Sequence, residues 1–423
     1  MLGWDGIFIA NTWGTLLYLG LSLASFHLWG MLAVLLITAI VSAMAVVTAL
    51  WRIADRMRAE KTTAQRLREY QPAFVVYWDA PPGTEYQLAM WLPYLERLGK
   101  KFFVLLRNEH TFAAVKDLTT APVLVGKPLS SLDAMVVPSL KSVFYVNNAV
   151  RNAHFVRYPQ LKHIMLNHGD SDKAPSYNPV TRMYDKNFVA GQAAIDRFKK
   201  HDVEVNPEWF VIVGRPQVEH IHVGPRRSPG PRKTVLYAPT WTGYNADSNY
   251  TSLSVGYEIV ESLLRQDCEV VFRPHPYTDK NTSDRISAER IRKLLEDDAT
   301  TSGRAHRLGD EAERAMSMVD CFNSVDALIA DVSSVISDFL YSEKPFAMAA
   351  TWPEAEDIYT EFPIARGAYV IDRSLQNLDE CIASLLGEDP LAAERRRLKA
   401  YYLGDFPADE YVDVFLREAS KYI

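Results

Sequence analysis

From residue 73 onward, short apolar runs rich in β-branched and aromatic residues alternate with amphipathic stretches of helical period. The runs fall at 74–78, 102–106, 123–125, 143–146, 163–166, 187–189 and 210–213, with a helix predicted over 85–98. The alternation then breaks at 223–232, where Pro225, Pro229 and Pro231 with Gly224 and Gly230 interrupt regular structure and mark a linker. It resumes with runs at 234–237, 269–272, 327–329, 346–349 and 369–371 and helices around 255–264, 284–296 and 333–341. Such alternation predicts parallel sheets covered by helices on both faces. Upstream the pattern differs. Residues 30–51 carry no charge, and a helix of that length reaches about 33 Å, enough to cross a bilayer. Residues 7–29 are also uncharged but are diluted by Asn11, Thr12, Ser22, Ser25 and His27, which predicts a second span of a hairpin or an interfacial segment.

The fold class expected is therefore α/β and GT-B-like: two Rossmann-like domains facing a cleft, preceded by an N-terminal transmembrane segment or helical hairpin. The boundaries are 1–51 for the anchor, 52–72 for a basic juxtamembrane linker, 73–222 for the N-terminal (acceptor) domain, 223–232 for the linker and 233–423 for the C-terminal (donor) domain. Arg52, Arg56, Arg58, Lys61, Arg66 and Arg68 outnumber Asp55, Glu60 and Glu69 after the apolar run, so the positive-inside rule puts the downstream domains in the cytoplasm, at the inner (plasma) membrane. This basic stretch either lies on anionic headgroups or is a solvated linker. Ser42-Ala43-Met44-Ala45 resembles a signal-peptide cleavage site, but no Lys or Arg precedes Arg52, so the basic n-region such a peptide needs is missing.

A net charge of -6, from 46 basic and 52 acidic residues, gives no bulk attraction to nucleic acid, so an anionic ligand must be captured locally. Cys268, Cys321 and Cys381 show no CxxC spacing, which suggests neither a zinc site nor a disulfide framework and fits a reducing compartment. No GxGxxG opens the first βα unit, where Asp79-Ala80-Pro81-Pro82-Gly83 stands instead, and no P-loop, HExxH, GxSxG or EF-hand pattern occurs. Dehydrogenase, ATPase, metalloprotease and α/β-hydrolase readings lose their main support.

In open α/β sheets ligands sit beyond the carboxyl ends of strands, and three polar clusters stand there. His168-Gly169 follows the run 163–166; glycine lets the chain turn and bares an imidazole suited to take a proton from an alcohol, the alternative being a locally bonded turn. Arg273-Pro274-His275-Pro276 follows 269–272; the prolines direct His275 and Arg273 offers a planar fork for phosphate oxygens, the alternative being a rigid exit loop. Asp331-Val332-Ser333-Ser334 opens a helix whose free N–H groups and hydroxyls make an anion site, or simply an N-cap. Tyr237-Ala238-Pro239-Thr240-Trp241 exits a strand with an aromatic that stacks on a base or packs on the linker. Gly214-Arg215-Pro216-Gln217 either lends Arg215 to the cleft or is a surface turn.

Taken in order, His168-Gly169, Gly214-x-Pro216, Tyr237-Ala238-Pro239-Thr240, Arg273-Pro274-His275-Pro276, and Asp331-x-Ser333-Ser334 with Asp338 and Lys344-Pro345 resemble the CDP-glycerol glycerophosphotransferase family of teichoic acid primases and polymerases. The resemblance spans roughly 73–403 and departs from the family at Asn167, where an aromatic is usual, and at Gln217, where an Arg is usual. It implies a GT-B fold and transfer of glycerol phosphate, or a related polyol phosphate such as ribitol phosphate, from a CDP-linked donor. The acceptor is a hydroxyl on a lipid-linked or envelope glycan at the bacterial membrane, and CMP is released. It further implies His168 as general base and His275, Ser333 and Ser334 as donor phosphate contacts, with Arg273, Asp338, Thr240 and Arg215 around the donor. The resemblance implies CDP-glycerol as the donor substrate; a divalent cation is compatible with this chemistry but not required, and a homo-oligomer is left open. Two other readings remain at this point: a GT-B glycosyltransferase using a nucleotide sugar, and a non-catalytic membrane-bound protein of envelope assembly.

Overall fold

The computed structural model describes residues 12–20, 28–227, 230–243, 249–350 and 358–423. It divides into two compact units, residues 1–71 with 128–139, and residues 72–127 with 140–423. The second span or interfacial segment expected over 7–29 lies within the described residues only at 12–20 and 28–29, and Ser228 and Pro229 of the linker lie outside them.

In the first unit a single helix runs from Leu28 to Tyr70. Residues 31–71 contain neither glycine nor proline, and the stretch after Trp51 is dominated by Ala, Arg, Glu, Lys, Leu, Met and Gln, which are strong helix formers. The predicted linker 52–72 is thus a continuation of the apolar helix, ended where Gln71 takes a left-handed φ of 54° before Pro72. Within it, Leu32–Tyr70 is long and apolar enough to cross a membrane, and none of its most apolar window is buried. Leu36, Ile37, Val47 and Leu50 are exposed along it, a surface that suits lipid rather than water. Residues 12–20 form a helix that runs against it, since a side chain at Gly14 would lie 2.7 Å from Thr38 Oγ1. Ser130 and Ser131 hydroxyls both donate to the Glu60 carboxylate, at 3.0 and 2.8 Å.

The second unit holds two parallel sheets. The first comprises β1 (Phe74–Trp78), β2 (Phe102–Leu106), β3 (Val123–Val125), β4 (Ser142–Tyr145), β5 (Lys162–Met165), β6 (Lys186–Val189) and β7 (Phe210–Ile212), in the order β3-β2-β1-β4-β5-β6-β7. The second comprises β8 (Thr234–Ala238), β9 (Glu269–Phe272), β10 (Ala327–Ala330), β11 (Phe346–Ala349) and β12 (Tyr369–Ile371), in the order β12-β11-β10-β8-β9. Every residue of β1, β2, β8 and β10 is buried, as expected of parallel strands covered on both faces. The two arrays form a GT-B-like α/β architecture. Strand order reverses between β1 and β4 and between β8 and β10, so the loops after these strands border the crevices where ligands bind.

Two expectations need correction. The helix predicted over 85–98 is two short helices, Tyr86–Ala89 and Leu92–Glu96, because Pro93 lacks the N–H that would continue the ladder and starts a new helix instead. The C-terminal segment does not stay with the second sheet: helix Tyr411–Ser420 places Val412, Phe415 and Ala419 in the core of the first, beside Trp91, Phe188 and Val213. Before it, helix Ala392–Leu403 passes so close to the first half that a side chain at Gly191 would lie 2.5 Å from the Tyr401 carbonyl oxygen. The core joining the halves is apolar, with Ala190, Ala193 and Val218 packed among Leu236, Phe339 and Tyr402. Phe415→Ala, which empties a fully buried position, should therefore destabilise the first-sheet half by about 3–5 kcal/mol, measured by urea denaturation; an unchanged midpoint would mean that the last helix is not part of that core.

Candidate functional site

At the end of β5 the chain turns through Asn167, whose φ of 57° lies in the left-handed region that asparagine tolerates. Its side-chain oxygen accepts the N–H of His168 at 2.9 Å, and its carbonyl accepts the indole N–H of Trp91 at 2.5 Å. His168 Nδ1 lies 3.3 Å from the Val146 carbonyl at the end of β4. A carbonyl only accepts, so the neutral ring carries its proton on Nδ1 and leaves a lone pair on Nε2. That lone pair faces the Gln87 amide nitrogen at 3.5 Å, and Gln87 is turned this way because its oxygen accepts from Trp78 Nε1 at 3.3 Å. Burial, helped by the charge of Arg215 and opposed by the Val146 contact, lowers the His168 pKa to about 4. Gln87 had no sequence signal, being one polar residue in an amphipathic stretch.

Beyond His168 the loop is pinned. Arg197, from helix Gln192–Lys200, donates to Asp170 at 2.5 Å and to Asp172 at 2.8 and 3.1 Å. The Tyr402 hydroxyl donates to the other Asp172 oxygen at 2.7 Å. Lys173, next along, carries its ammonium 5.1 Å from the centre of the Tyr250 ring in the second half.

In the second half the histidine has the opposite arrangement. Pro274 and Pro276 flank His275, whose own N–H donates to the Pro239 carbonyl at 3.1 Å, while the N–H of Tyr277 donates to His275 Nδ1 at 3.0 Å. An accepting Nδ1 puts the proton of the neutral ring on Nε2, making it a donor. Trp241 stacks on this imidazole with centroids 6.1 Å apart, and Tyr277 meets it edge-on. Burial first, then the charges of Lys173, His168 and Lys280, lower the His275 pKa to about 4. The Lys173 ammonium against the Tyr250 ring brings the loops of the two halves together.

Their closest approach is at Gly169. A Cβ there would lie 2.9 Å from Ser334 Oγ and 3.0 Å from Ser334 Cβ, so only a glycine lets the loop after β5 meet the start of helix Ser334–Phe339. Ser333 precedes that helix in extended backbone, and its hydroxyl is buried without a partner. Asp331 joins the loops after β8 and β10: one oxygen accepts the N–H of Thr240 at 2.6 Å and of Ser252 at 3.2 Å, and the other has no partner. Burial raises its pKa to about 7. The loop that carries His168 thus meets the helix start at Ser334, and Asp331, two residues before Ser333, holds the Thr240 turn.

Three expected donor contacts are corrected. Arg273 does not point into the crevice: its guanidinium donates to the carbonyls of Ala312 and Met316, the latter at 2.6 Å, at the π-helical turn Glu311–Ala315, whose terminal carbonyls lack helical partners. Arg215 and Asp338 hold each other, with two parallel bonds of 2.8 and 3.0 Å, and Arg215 is only 5% exposed. This pair ties the halves together and neutralises both charges. Lys344 is likewise structural, donating to the carbonyls of Phe322 and Val325 at 2.8 Å each. Among the described residues no group of three or more His, Cys, Asp or Glu side chains is arranged to hold a metal ion. Gly169→Ala should destabilise the protein by about 1–3 kcal/mol through overpacking, and adding Ser334→Gly should restore most of the loss in thermal melts; a double variant no better than the single would remove this contact as the cause.

Residues 227–369 match the family model described as CDP-Glycerol:Poly(glycerophosphate) glycerophosphotransferase. No curated protein matches the sequence at a significant level. Among solved structures, the wall teichoic acid polymerase TagF aligns with a TM-score of 0.51 at 13% identity, over 89% of this chain and 97% of that one. A protein from Listeria monocytogenes described as a UDP-N-acetylglucosamine 2-epimerase aligns with a TM-score of 0.54 at 13% identity, over 81% of this chain and 94% of that one. At such identities the structural likeness establishes the GT-B-like fold alone, and the family match covers residues 227–369, which include His275, Ser333 and Ser334.

Proposed function

We propose that the protein transfers glycerol phosphate, or a related polyol phosphate, from a CDP-linked donor to an acceptor hydroxyl of an envelope glycan or polymer, releasing CMP. The observation that supports this reading is a pair of neutral imidazoles of opposite polarity, close enough for the charge of one to act on the other, on loops beside the Gly169–Ser334 contact. His168 Nε2, with its lone pair, takes the proton of the acceptor hydroxyl. The oxygen attacks the β-phosphorus, a new P–O ester bond forms, and the bond from that phosphorus to the bridging oxygen breaks, so that oxygen leaves with CMP. His275 Nε2–H and the hydroxyls of Ser333 and Ser334 donate to phosphoryl oxygens as charge builds on them, which is electrostatic stabilisation without a covalent intermediate. Trp241 serves as the packing support of His275 rather than as a base platform.

In the same proposal the helix Leu28–Tyr70 anchors the protein in the inner membrane, with the catalytic halves on the cytoplasmic side. The basic residues after Trp51 support that orientation. Because the fold also matches a nucleotide-sugar enzyme, the test is transfer by membrane-embedded protein from CDP-glycerol against UDP-sugars; use of a UDP-sugar with CDP-glycerol ignored would overturn the reading.

His168→Gln should lower kcat by about 10²–10⁴-fold, the range for loss of a general base. Because the His168 pKa lies near 4, the base stays unprotonated as pH falls through 6.5. The acid limb of kcat/KM is therefore expected toward pH 4; a limb at 6.5 in the pH–rate profile would show a solvated imidazole instead.

A further inference from the structure

A donor diphosphate brings two negative charges into this crevice, and the cations first expected to meet them are engaged elsewhere. Arg273 serves backbone carbonyls, and Arg215 serves Asp338. His168 and His275 are neutral at pH 7, since burial holds both near 4. Lys280 is exposed and lies against the face of Tyr277, 3.2 Å from the ring centre. Lys173 differs from all of these. Among the described residues its ammonium has neither a hydrogen bond nor an ion-pair partner; it rests against the Tyr250 ring.

Its position is set by the loop that carries the proposed base. The Asp172 carboxylate, held by Arg197 and Tyr402, fixes the chain one residue before Lys173. From there the side chain crosses from the first half to the second, close enough for its charge to act on both His275 and Asp331. Burial lowers its pKa to about 8, against the opposing pull of Asp331, so most of the amine is still charged at neutral pH. A largely buried cation that makes no direct ion pair, even with Asp331 nearby, is a costly arrangement, and a bound phosphoryl group would complete it.

We propose that Lys173 is the cation that reads the β-phosphoryl group of the donor, delivered to the nucleotide-binding half by the same loop that carries His168. This inference rests on the CDP-donor reading and deepens it: the α-phosphate is left to Ser333 and Ser334, and the group being transferred is gripped by a point charge that arrives with the base. Lysine suits this role because a compact ammonium follows a phosphoryl group through an in-line displacement, where a planar guanidinium fixes one bidentate geometry. The base and the β-phosphate contact are thereby placed together by one pinned loop, so the attacking oxygen and the phosphorus are aligned by the same element.

The test is calorimetric titration of the full-length protein in detergent with CDP and with CMP, whose difference is the β-phosphate. Lys173→Met should weaken CDP by about tenfold or more, equivalent to about 1.4 kcal/mol, while CMP binding stays within about twofold on the same affinity scale. Lys173→Arg should keep most of the CDP preference, and melting temperatures of both variants should match the parent. Equal weakening of both nucleotides, or of neither, overturns the assignment. Should the unsubstituted protein take UDP and ignore CDP, the donor reading falls, and the same comparison made with UDP and UMP still decides the role of Lys173.

Discussion

A missing side chain allows the two halves of the site to meet. The loop after β5 touches the first residue of helix Ser334–Phe339 through Gly169, and a single methyl there would lie 2.9 Å from the serine hydroxyl. His168, Lys173 and the acidic pair that grips Arg197 come with that loop; His275, Ser333 and the Thr240 turn wait on the other side. Tight packing of the loop against the helix start fixes the separation of the groups far better than flexible side chains could. Apolar packing between the halves, the Arg215–Asp338 pair and the return of helix Tyr411–Ser420 to the first core hold this contact closed.

Desolvation sets the chemistry of the groups that meet there. It keeps both histidines neutral and lets the Val146 carbonyl and the Tyr277 amide determine which ring nitrogen carries the proton. The same burial raises Asp331, which sits where strand order reverses in the second sheet and pins the loops after β8 and β10 to each other. With Arg215 paired to Asp338 and Arg273 turned to backbone carbonyls, positive charge beside these loops is scarce.

Much of the fold was legible in the sequence, for a physical reason. Parallel strands covered on both faces are apolar along most of their length, so the strands of the two sheets stand out as short apolar runs, many of them β-branched and aromatic. Glycine and proline mark the turns that bare His168 and His275. The arginines misled because a residue type shows what can be donated but not in which direction; Arg273 turns to carbonyls that exist only once the π-helical turn has formed. Lys173 had only a weak signal, since a lysine in a polar loop is usually solvated. The return of the last helix depends on long-range packing of Phe415 against Trp91 and Phe188, which no local pattern encodes.

In the proposed reaction one diphosphate is held jointly by loops from both sheets. A structure of the protein with CDP-glycerol bound tests it most directly. The diphosphate is expected between Ser333, Ser334 and His275 on one side and Lys173 on the other, with the β-phosphorus facing His168 Nε2. A diphosphate bound by the second sheet alone, out of reach of residues 168–173, would contradict it.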